Sequence, residues 1–382
     1  MAQTAQDMQA GSLEQRIAAT LVALAGIPSV SGEEGAVRAY VRERLEHLGL
    51  APTADAAGNL IARVTAVPSE RDGEAPLLLN AHLDRVPPGR AHSPILANGI
   101  LRSDGTTNLG ADDSAGIAII LHAVEELHTR SLPHPPLLLL FTVDEEVGLI
   151  GAKAFDPTPW GAREGIVFDN AGEPGVVVTR AATYVAFDVV LRGSGGHPGK
   201  GLEGTASAIE MFRRARYPSG MLDGGATRIS LGRIEGGTAR NAVPRELRVQ
   251  GEVRTLLGDG PRAALLRRIE RAFVTAATSL GGSATVAFDS HCDSYEVRLD
   301  EPLLQAYAAT LAARGQALHT TTAFIGSDAS ALRKHARVFT VSTGAMDEHT
   351  SDEWIALAPL ADLTETVVTL LSAYQAGRAS GA

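Results

Sequence analysis

Three consecutive carboxylates, Asp144, Glu145 and Glu146, follow the apolar run from Leu137 to Val143. Adjacent carboxylates repel, so such a cluster at a strand end calls for a compensating cation. A second segment repeats this grammar: Leu77 to Ala81 leads into His82-Leu83-Asp84. In an extended chain residues i and i+2 share a face, which pairs His82, a zinc-type ligand, with a carboxylate that can orient its imidazole. A third is Gly110-Ala-Asp112-Asp113-Ser-Ala-Gly116, ahead of the apolar stretch Ile117 to Leu121. Carboxylates there suit a helix N-terminus as well as a metal. Asp169 closes Ile166-Val-Phe, and His349 lies between Thr343 and Glu353. Each alone has an ordinary reading as a turn, a cap or a packed histidine. Together they form one set of His, Asp and Glu, nearly all at strand ends, with the donor chemistry of a divalent-metal site.

The elements that must position this set are buried strands. Leucine-rich runs such as 137–143 and 77–81 read as parallel strands covered on both faces. The carboxyl ends of such strands form the ligand crevice of an open α/β sheet. Helices are predicted at Leu13 to Ala25, at Val37 to Leu48 after a start at Ser31 to Glu34, and at Ile117 to His128, with a further strand from Leu60 to Val67. This alternation through residue 170 gives an α/β class. Around Thr183 the pattern changes. A strand at 184–191, a helix near 204–215, strands near 227–235 and 246–254, a helix at 261–280 and a strand near 284–289 follow a ferredoxin-like order. The α/β pattern resumes near Leu299. The predicted domains are therefore 1–182 with 297–382, carrying the metal set, and an inserted α+β domain at 183–296.

Composition sets outer bounds. A chain of 382 residues accommodates two substantial cores, and 45% hydrophobic with 20% charged residues is ordinary globular usage. The formal net charge of −10 argues against nucleic acid or an anionic membrane as partner. Cys292 is the only cysteine, which excludes a disulfide framework and a thiolate-held zinc. Met1 to Ser12 lacks the basic start and apolar centre of a secretory signal, and no stretch reaches the roughly 18 apolar residues of a membrane span. A cytoplasmic protein is expected. Gly193-Ser-Gly-Gly196 lacks the spacing and Lys-Ser/Thr ending of a phosphate loop.

Longer segments carry a resemblance. They are NAHLD at 80–84, SPILANGILRSDGTTNLGADDSAG at 93–116, FTVDEEVGLIGAKAF at 141–155, GHPGKG at 196–201, GGTARNAVP at 236–244, GSDASAL at 326–332 and TGAMDEHTSDEW at 343–354. In type and order they resemble the peptidase T-like group of the di-zinc family of aminoacylases, carboxypeptidases and dipeptidases. The resemblance implies a zinc-peptidase α/β domain with an inserted ferredoxin-like lid that carries a homodimer contact. It implies that Asp112 bridges two Zn2+ ions, with His82 and Asp169 completing one and Glu146 and His349 the other. Glu145 becomes the general base and Asp84 the support of His82. Three ligand carboxylates against two divalent ions leave a net positive site that favours hydroxide. His197 is implied as the oxyanion donor, reaching in from a partner subunit. Asn241, Arg254 and Asp328 are implied as substrate contacts, Arg254 for a carboxylate, with a surface ion pair as the ordinary alternative for Arg254. Relatives also hold a cis peptide after the bridging aspartate, here Asp112–Asp113. Ser114 departs from the pattern, since relatives carry Lys there.

The activity so implied is metal-dependent hydrolysis of peptide bonds, as a tripeptide-type aminopeptidase on short peptides, with Co2+ or Mn2+ able to replace zinc. An N-acyl amino acid deacylase or a carboxypeptidase of the same superfamily is the alternative. A non-catalytic zinc- or peptide-binding protein is a third reading, against which retention of Glu145 speaks, because a binder needs ligands but no base.

Overall fold

The computed structural model describes residues 11–374, and most of the Met1 to Ser12 reading lies outside the described residues. The chain divides into two compact units. Met1–Thr179, Glu296–Thr322 and Ser327–Ala382 form the first, and Arg180–Tyr295 with Ala323–Gly326 the second.

The first unit is built on a mixed sheet that has nine strands among the described residues. At its centre Leu137–Thr142, Leu77–His82, Glu164–Phe168 and Arg337–Val341 run parallel in that spatial order. Leu77 to Leu79 and Leu137 to Leu140 are at most 2% exposed, so these strands are covered on both faces. Burying each such leucine contributes about 1.5–3 kcal/mol. The register places His82 opposite Thr142 and Val341 opposite Phe168, which brings the four carboxyl ends to one edge.

The helix Ala111–Thr129 lies against this sheet, buried along Ala115 to Val124. It approaches closely because residue 116 is glycine. A Cβ there would stand 2.4 Å from the Phe168 carbonyl oxygen and 2.6 Å from the Asp113 carboxylate. The helix Leu13–Ala25 buries Ile17, Leu21 and Leu24, one stripe at helical spacing. It starts with a reciprocal capping box between Ser12 and Gln15. Between these helices lies a buried polar chain. Thr20 Oγ1 is 2.9 Å from His122 Nε2, and His122 Nδ1 is 2.7 Å from Glu125.

A small four-stranded sheet joins Ala345–Met346, Trp354–Ala356, Ile100–Arg102 and Ile95–Ala97. It pairs Trp354 with Arg102 and Ile355 with Leu101, so the segments 93–116 and 343–354 run side by side.

The second unit has a five-stranded antiparallel sheet in the order Gly220–Leu222, Thr227–Gly236, Glu246–Thr255, Thr183–Arg192, Ser283–Cys292. Without the short first strand this is the strand arrangement of a ferredoxin-like fold. The inward residues Val185, Phe187, Val189 and Leu191 alternate along Thr183–Arg192 and pack with Met211, Ile269 and Phe273 of the helices Ala208–Arg214 and Asp259–Ser279.

Three local expectations change. Ser31 to Glu34 does not cap the helix Gly35–His47 through a side chain; Ser31 donates to Asp84 instead. The strand Leu60–Val64 stops short of Val67, which precedes a cis proline and pairs singly with His134. Ala323–Gly326 groups with the second unit, because the Phe324 ring lies 3.7 Å beneath the Arg228 guanidinium and its carbonyl accepts from Arg254.

Candidate metal centre

Six predicted residues converge at the carboxyl edge of the parallel strands. His82 is the last residue of its strand, Glu145 and Glu146 follow Leu137–Thr142, and Asp169 follows Glu164–Phe168. Asp112 stands at the start of its helix, and His349 lies in the loop after Ala345–Met346. Asp112 Oδ1 is 3.2 Å from His82 Nε2, and Asp112 Oδ2 is 3.2 Å from His349 Nε2. His349 Nε2 is also 3.0 Å from Glu146. Donor atoms of His82, Asp112 and Glu146 all lie within 4.8 Å of one another. The Asp112–Asp113 peptide is cis, as the resemblance implies. Several non-glycine residues here have left-handed backbone: Asp144 (φ 53°), Asn170 (φ 107°), Asp347 (φ 54°) and His349 (φ 63°). Such conformations persist only where surrounding contacts hold them.

Buried carboxylates outside the predicted ligand set grip the backbone of some of those ligands and of their chain neighbours. The Asp84 carboxylate accepts the N–H groups of Glu145 (2.9 Å) and Glu146 (3.1 Å) and the Ser31 hydroxyl (2.7 Å). Asp113 accepts from His82 N–H at 3.1 Å. Glu353 accepts from Gly110 N–H at 2.8 Å and Asp112 N–H at 3.0 Å. Glu34 accepts from Asp144 N–H at 3.2 Å. Asp84 was expected only to orient His82. In fact the closer partner of His82 Nδ1 is the Asp84 carbonyl oxygen at 3.0 Å, with the carboxylate at 3.5 Å. Ser31 and Glu34, read from sequence as a helix start, and Asp113, read with Asp112, serve here as anchors, Ser31 of the Asp84 carboxylate and the other two of backbone, and Glu353 has no role assigned from sequence.

The electrostatics describe a cluster with too much negative charge. Burial pushes Asp169 up to about 8, aided by Asp112 and outweighing the opposing pull of His82. Burial holds Glu145 well above the usual carboxylate range, with Asp169, Asp328 and Glu146 adding to it against His82. Glu146 is raised by burial too. Burial alone would raise Asp112, but hydrogen bonds from His349 and His82 outweigh it and hold it low. Those carboxylates raise His349 to about 10, Asp112 first and Glu146 second. Imidazole nitrogens and carboxylate oxygens converging under excess negative charge fit a divalent cation.

Asp328 lies beside this cluster, close enough to act on Glu145 and Asp169. Asp328 is 1% exposed, and Thr142 donates to it. Burial pushes its carboxyl up to about 6. His197, Asn241 and Arg254 belong to the second unit. His197 is exposed, and its Nδ1 accepts from Gly199 N–H at 3.1 Å. Asn241 is exposed in the loop between Thr227–Gly236 and Glu246–Thr255. Arg254 pairs with Glu252 at 3.1 Å, donates to the Phe324 carbonyl at 2.8 Å and lies 4.4 Å from the Tyr184 ring centre. The ion pair named as its alternative is thus present. Ser114 donates its backbone N–H to the Gly110 carbonyl at 3.1 Å.

The fold and the site define a metallopeptidase: the chain belongs to peptidase family M20/M25/M40, whose model matches residues 78–373. It is similar to aminopeptidase PepT from Bacillus cereus, with 29% identity, 94% of this chain and 98% of that one covered, and a TM-score of 0.87. It is likewise similar to a tripeptidase from Staphylococcus aureus, at 28% identity, the same coverage and a TM-score of 0.88. An uncharacterized protein of Bacillus subtilis, YqjE, is 29% identical over 369 residues, which is 94% of this chain and 98% of that protein. Among the described residues no helix is long and apolar enough to cross a membrane.

Proposed function

We propose that this chain is a two-metal aminopeptidase that releases the N-terminal residue of short peptides, tripeptides above all. One observation carries the reading: the two oxygens of Asp112 each face a different imidazole, His82 and His349, at 3.2 Å. A carboxylate so placed suits a bridge, with His82 and Asp169 on one side and Glu146 and His349 on the other. Two divalent ions held there, zinc by donor type, would supply a polarised carbonyl and a water of lowered pKa. The chain's own chemistry centres on Glu145. Its carboxylate is buried next to Glu146 at the edge of the cluster, where a general base can reach a water held there. It takes the proton of the attacking water and delivers it to the departing amine nitrogen. Asp84 fixes the Glu145 peptide and so aims that carboxylate.

The preference for a free amino terminus is supported by the similarity to the Bacillus cereus aminopeptidase and the Staphylococcus aureus tripeptidase over nearly the whole chain. We assign residues 1–182 and 297–382 to catalysis and 183–296 to a lid and homodimer domain, in a cytoplasmic enzyme. His197 is the proposed oxyanion donor, acting from a partner subunit. Asn241, Arg254 and Asp328 are proposed to contact the peptide.

The test compares a free tripeptide, its N-acetylated form and its C-terminal amide, using metal-stripped and reloaded protein. Stripping should abolish cleavage, and zinc, cobalt or manganese should restore it. N-acetylation should abolish turnover. Amidation should weaken it about ten- to a hundredfold, the equivalent of a charged contact worth about 1.5–3 kcal/mol. Faster cleavage of the N-acetylated form would replace this reading with a deacylase or carboxypeptidase.

A further inference from the structure

Glu353 is 0% exposed, and both its carboxylate oxygens are taken by one loop. Oε2 accepts from the N–H of Gly110 at 2.8 Å, and Oε1 accepts from the N–H of Asp112 at 3.0 Å. The Glu353 backbone is anchored separately. Its carbonyl accepts from Ser103 N–H at 3.0 Å, and the next residue, Trp354, pairs with Arg102. The side chain is therefore not what holds the strand in place.

Arg85 grips the same loop. It is 2% exposed, and its guanidinium donates to the Leu109 carbonyl at 3.4 Å, to Ser29 Oγ at 2.9 Å and to the Gly89 carbonyl at 3.3 Å. Gly110, between the two grips, has φ 76°, and a Cβ there would stand 2.1 Å from Arg85 Cδ. The loop that delivers Asp112 is thus held at its Leu109 carbonyl by a buried cation and at two N–H groups by Glu353, whose carboxyl is pushed up to about 7 by burial against the opposing pull of those N–H groups and of Arg85.

A neutral side chain would not serve equally. Glutamine of the same shape offers one acceptor oxygen, and its NH2 would face an N–H. A carboxylate accepts both, and such charge-assisted bonds are the stronger ones. The Asp112 carboxylate is placed by the peptide that Glu353 holds, and each of its oxygens addresses a different histidine. A rotation of that peptide displaces both contacts together.

We propose that Glu353 is a positioning residue for Asp112, fixing the peptide of the bridging carboxylate and through it the alignment of both metal subsites. This rests on the two-metal reading of the centre. The experiment titrates stripped protein with Co2+, followed by visible absorption, for the unaltered chain, Glu353→Gln and Glu353→Ala. Glu125→Gln serves as a control: it removes a buried carboxylate from the same unit, in the polar chain of Thr20 and His122. Glu353→Gln is expected to melt cooperatively, to bind Co2+ about 10- to 100-fold more weakly at both steps, and to show an altered absorption band. With a tripeptide its kcat should fall while KM stays within about twofold, since the peptide-binding groups are untouched. Glu125→Gln should lose thermal stability with Co2+ affinity and band shape intact. If Glu353→Ala does not fold, Glu353→Gln carries the test. Unaltered Co2+ affinity and spectrum in Glu353→Gln would overturn the proposal, as would an equal weakening in Glu125→Gln. Absence of any Co2+ binding by the unaltered chain would overturn the metal reading and this inference with it.

Discussion

The Asp84 carboxylate accepts the backbone N–H of Glu145 at 2.9 Å, so a residue two positions after His82 sets the direction of the proposed base. Its other oxygen takes the N–H of Glu146 at 3.1 Å, and the Asp84 carbonyl faces His82 Nδ1 at 3.0 Å. One residue thereby ties His82, Glu145 and Glu146, from two segments of the chain, to a common anchor.

Two substitutions separate these duties. Glu145→Gln keeps the shape and removes the base. It should retain bound metal and lose about 10²–10⁴ in kcat. Asp84→Asn keeps one acceptor oxygen and turns an NH2 toward an N–H of the acidic turn. It should lower both metal affinity and kcat, by about 10- to 100-fold. Metal content and steady-state kinetics on the two variants check this. Activity within a few fold of the unaltered chain in Glu145→Gln would remove Glu145 from the mechanism.

His197 offers a second test. Because its Nδ1 accepts from Gly199 N–H, the ring proton of the neutral imidazole sits on Nε2. An exposed Nε2–H is a donor suited to a developing oxyanion. If it acts in a partner subunit, a protomer lacking His197 can still supply an intact metal centre, and one lacking Glu145 can still supply His197. Mixing His197→Ala with Glu145→Gln chains under subunit exchange should restore a fraction of activity. Exchange without recovery would falsify action between subunits.

His82, Glu145, Glu146 and Asp169 were legible in the sequence because each sits where a strand pattern ends. Runs of leucine fixed Leu77–His82 and Leu137–Thr142, and a residue just past the end of a buried parallel strand must lie at the crevice edge. His349 is a candidate by residue type alone, since it lies in a loop that carries no periodicity, and only the resemblance gives it a role. The grip of Glu353 on Asp112 was not legible. It depends on the pairing of Trp354–Ala356 with Ile100–Arg102, two three-residue strands too short to announce themselves. Ser31 was misread for a related reason: a serine before a helix fits a cap, and only the tertiary structure brings it 2.7 Å from Asp84. Arg254 fits a carboxylate clamp by type, but its nearest anion in the fold is Glu252 on its own strand. Residue type and order single out residues that the fold brings together, whereas backbone grips between distant segments need the register.

A last expectation concerns stability rather than catalysis. His122 lies 1% exposed between two helices, with Thr20 on Nε2 and Glu125 on Nδ1. Arg44 donates to Thr20 Oγ1 at 3.0 Å, and Arg16 approaches Glu125 at 3.6 Å. A neutral ring satisfies this set: Thr20 donates its hydroxyl to Nε2, and Nδ1–H donates to Glu125. Protonating Nε2 would leave the Thr20 hydroxyl facing a second donor. Burial accordingly pushes His122 below its ordinary 6.5, despite the opposing pull of Glu125. Glu125 is itself held low, since His122 and the arginines outweigh its burial. With a depressed folded pKa, the unfolded chain binds the proton more readily. The contribution of His122 is therefore complete above pH 6.5 and declines as pH falls below that value. Glu125 adds a further loss below 4.5 in the same direction. His122→Gln cannot titrate and should be less stable at about pH 8 by about 1.5–3 kcal/mol, the worth of a hydrogen bond to a charged group. Its deficit should shrink as pH drops from about 6.5 toward about 5. Protonation of the metal centre acts on both proteins alike, so urea unfolding of the pair isolates the His122 contribution. Parallel stability curves from about pH 8 to about pH 5 would show that the buried ring carries no depressed pKa.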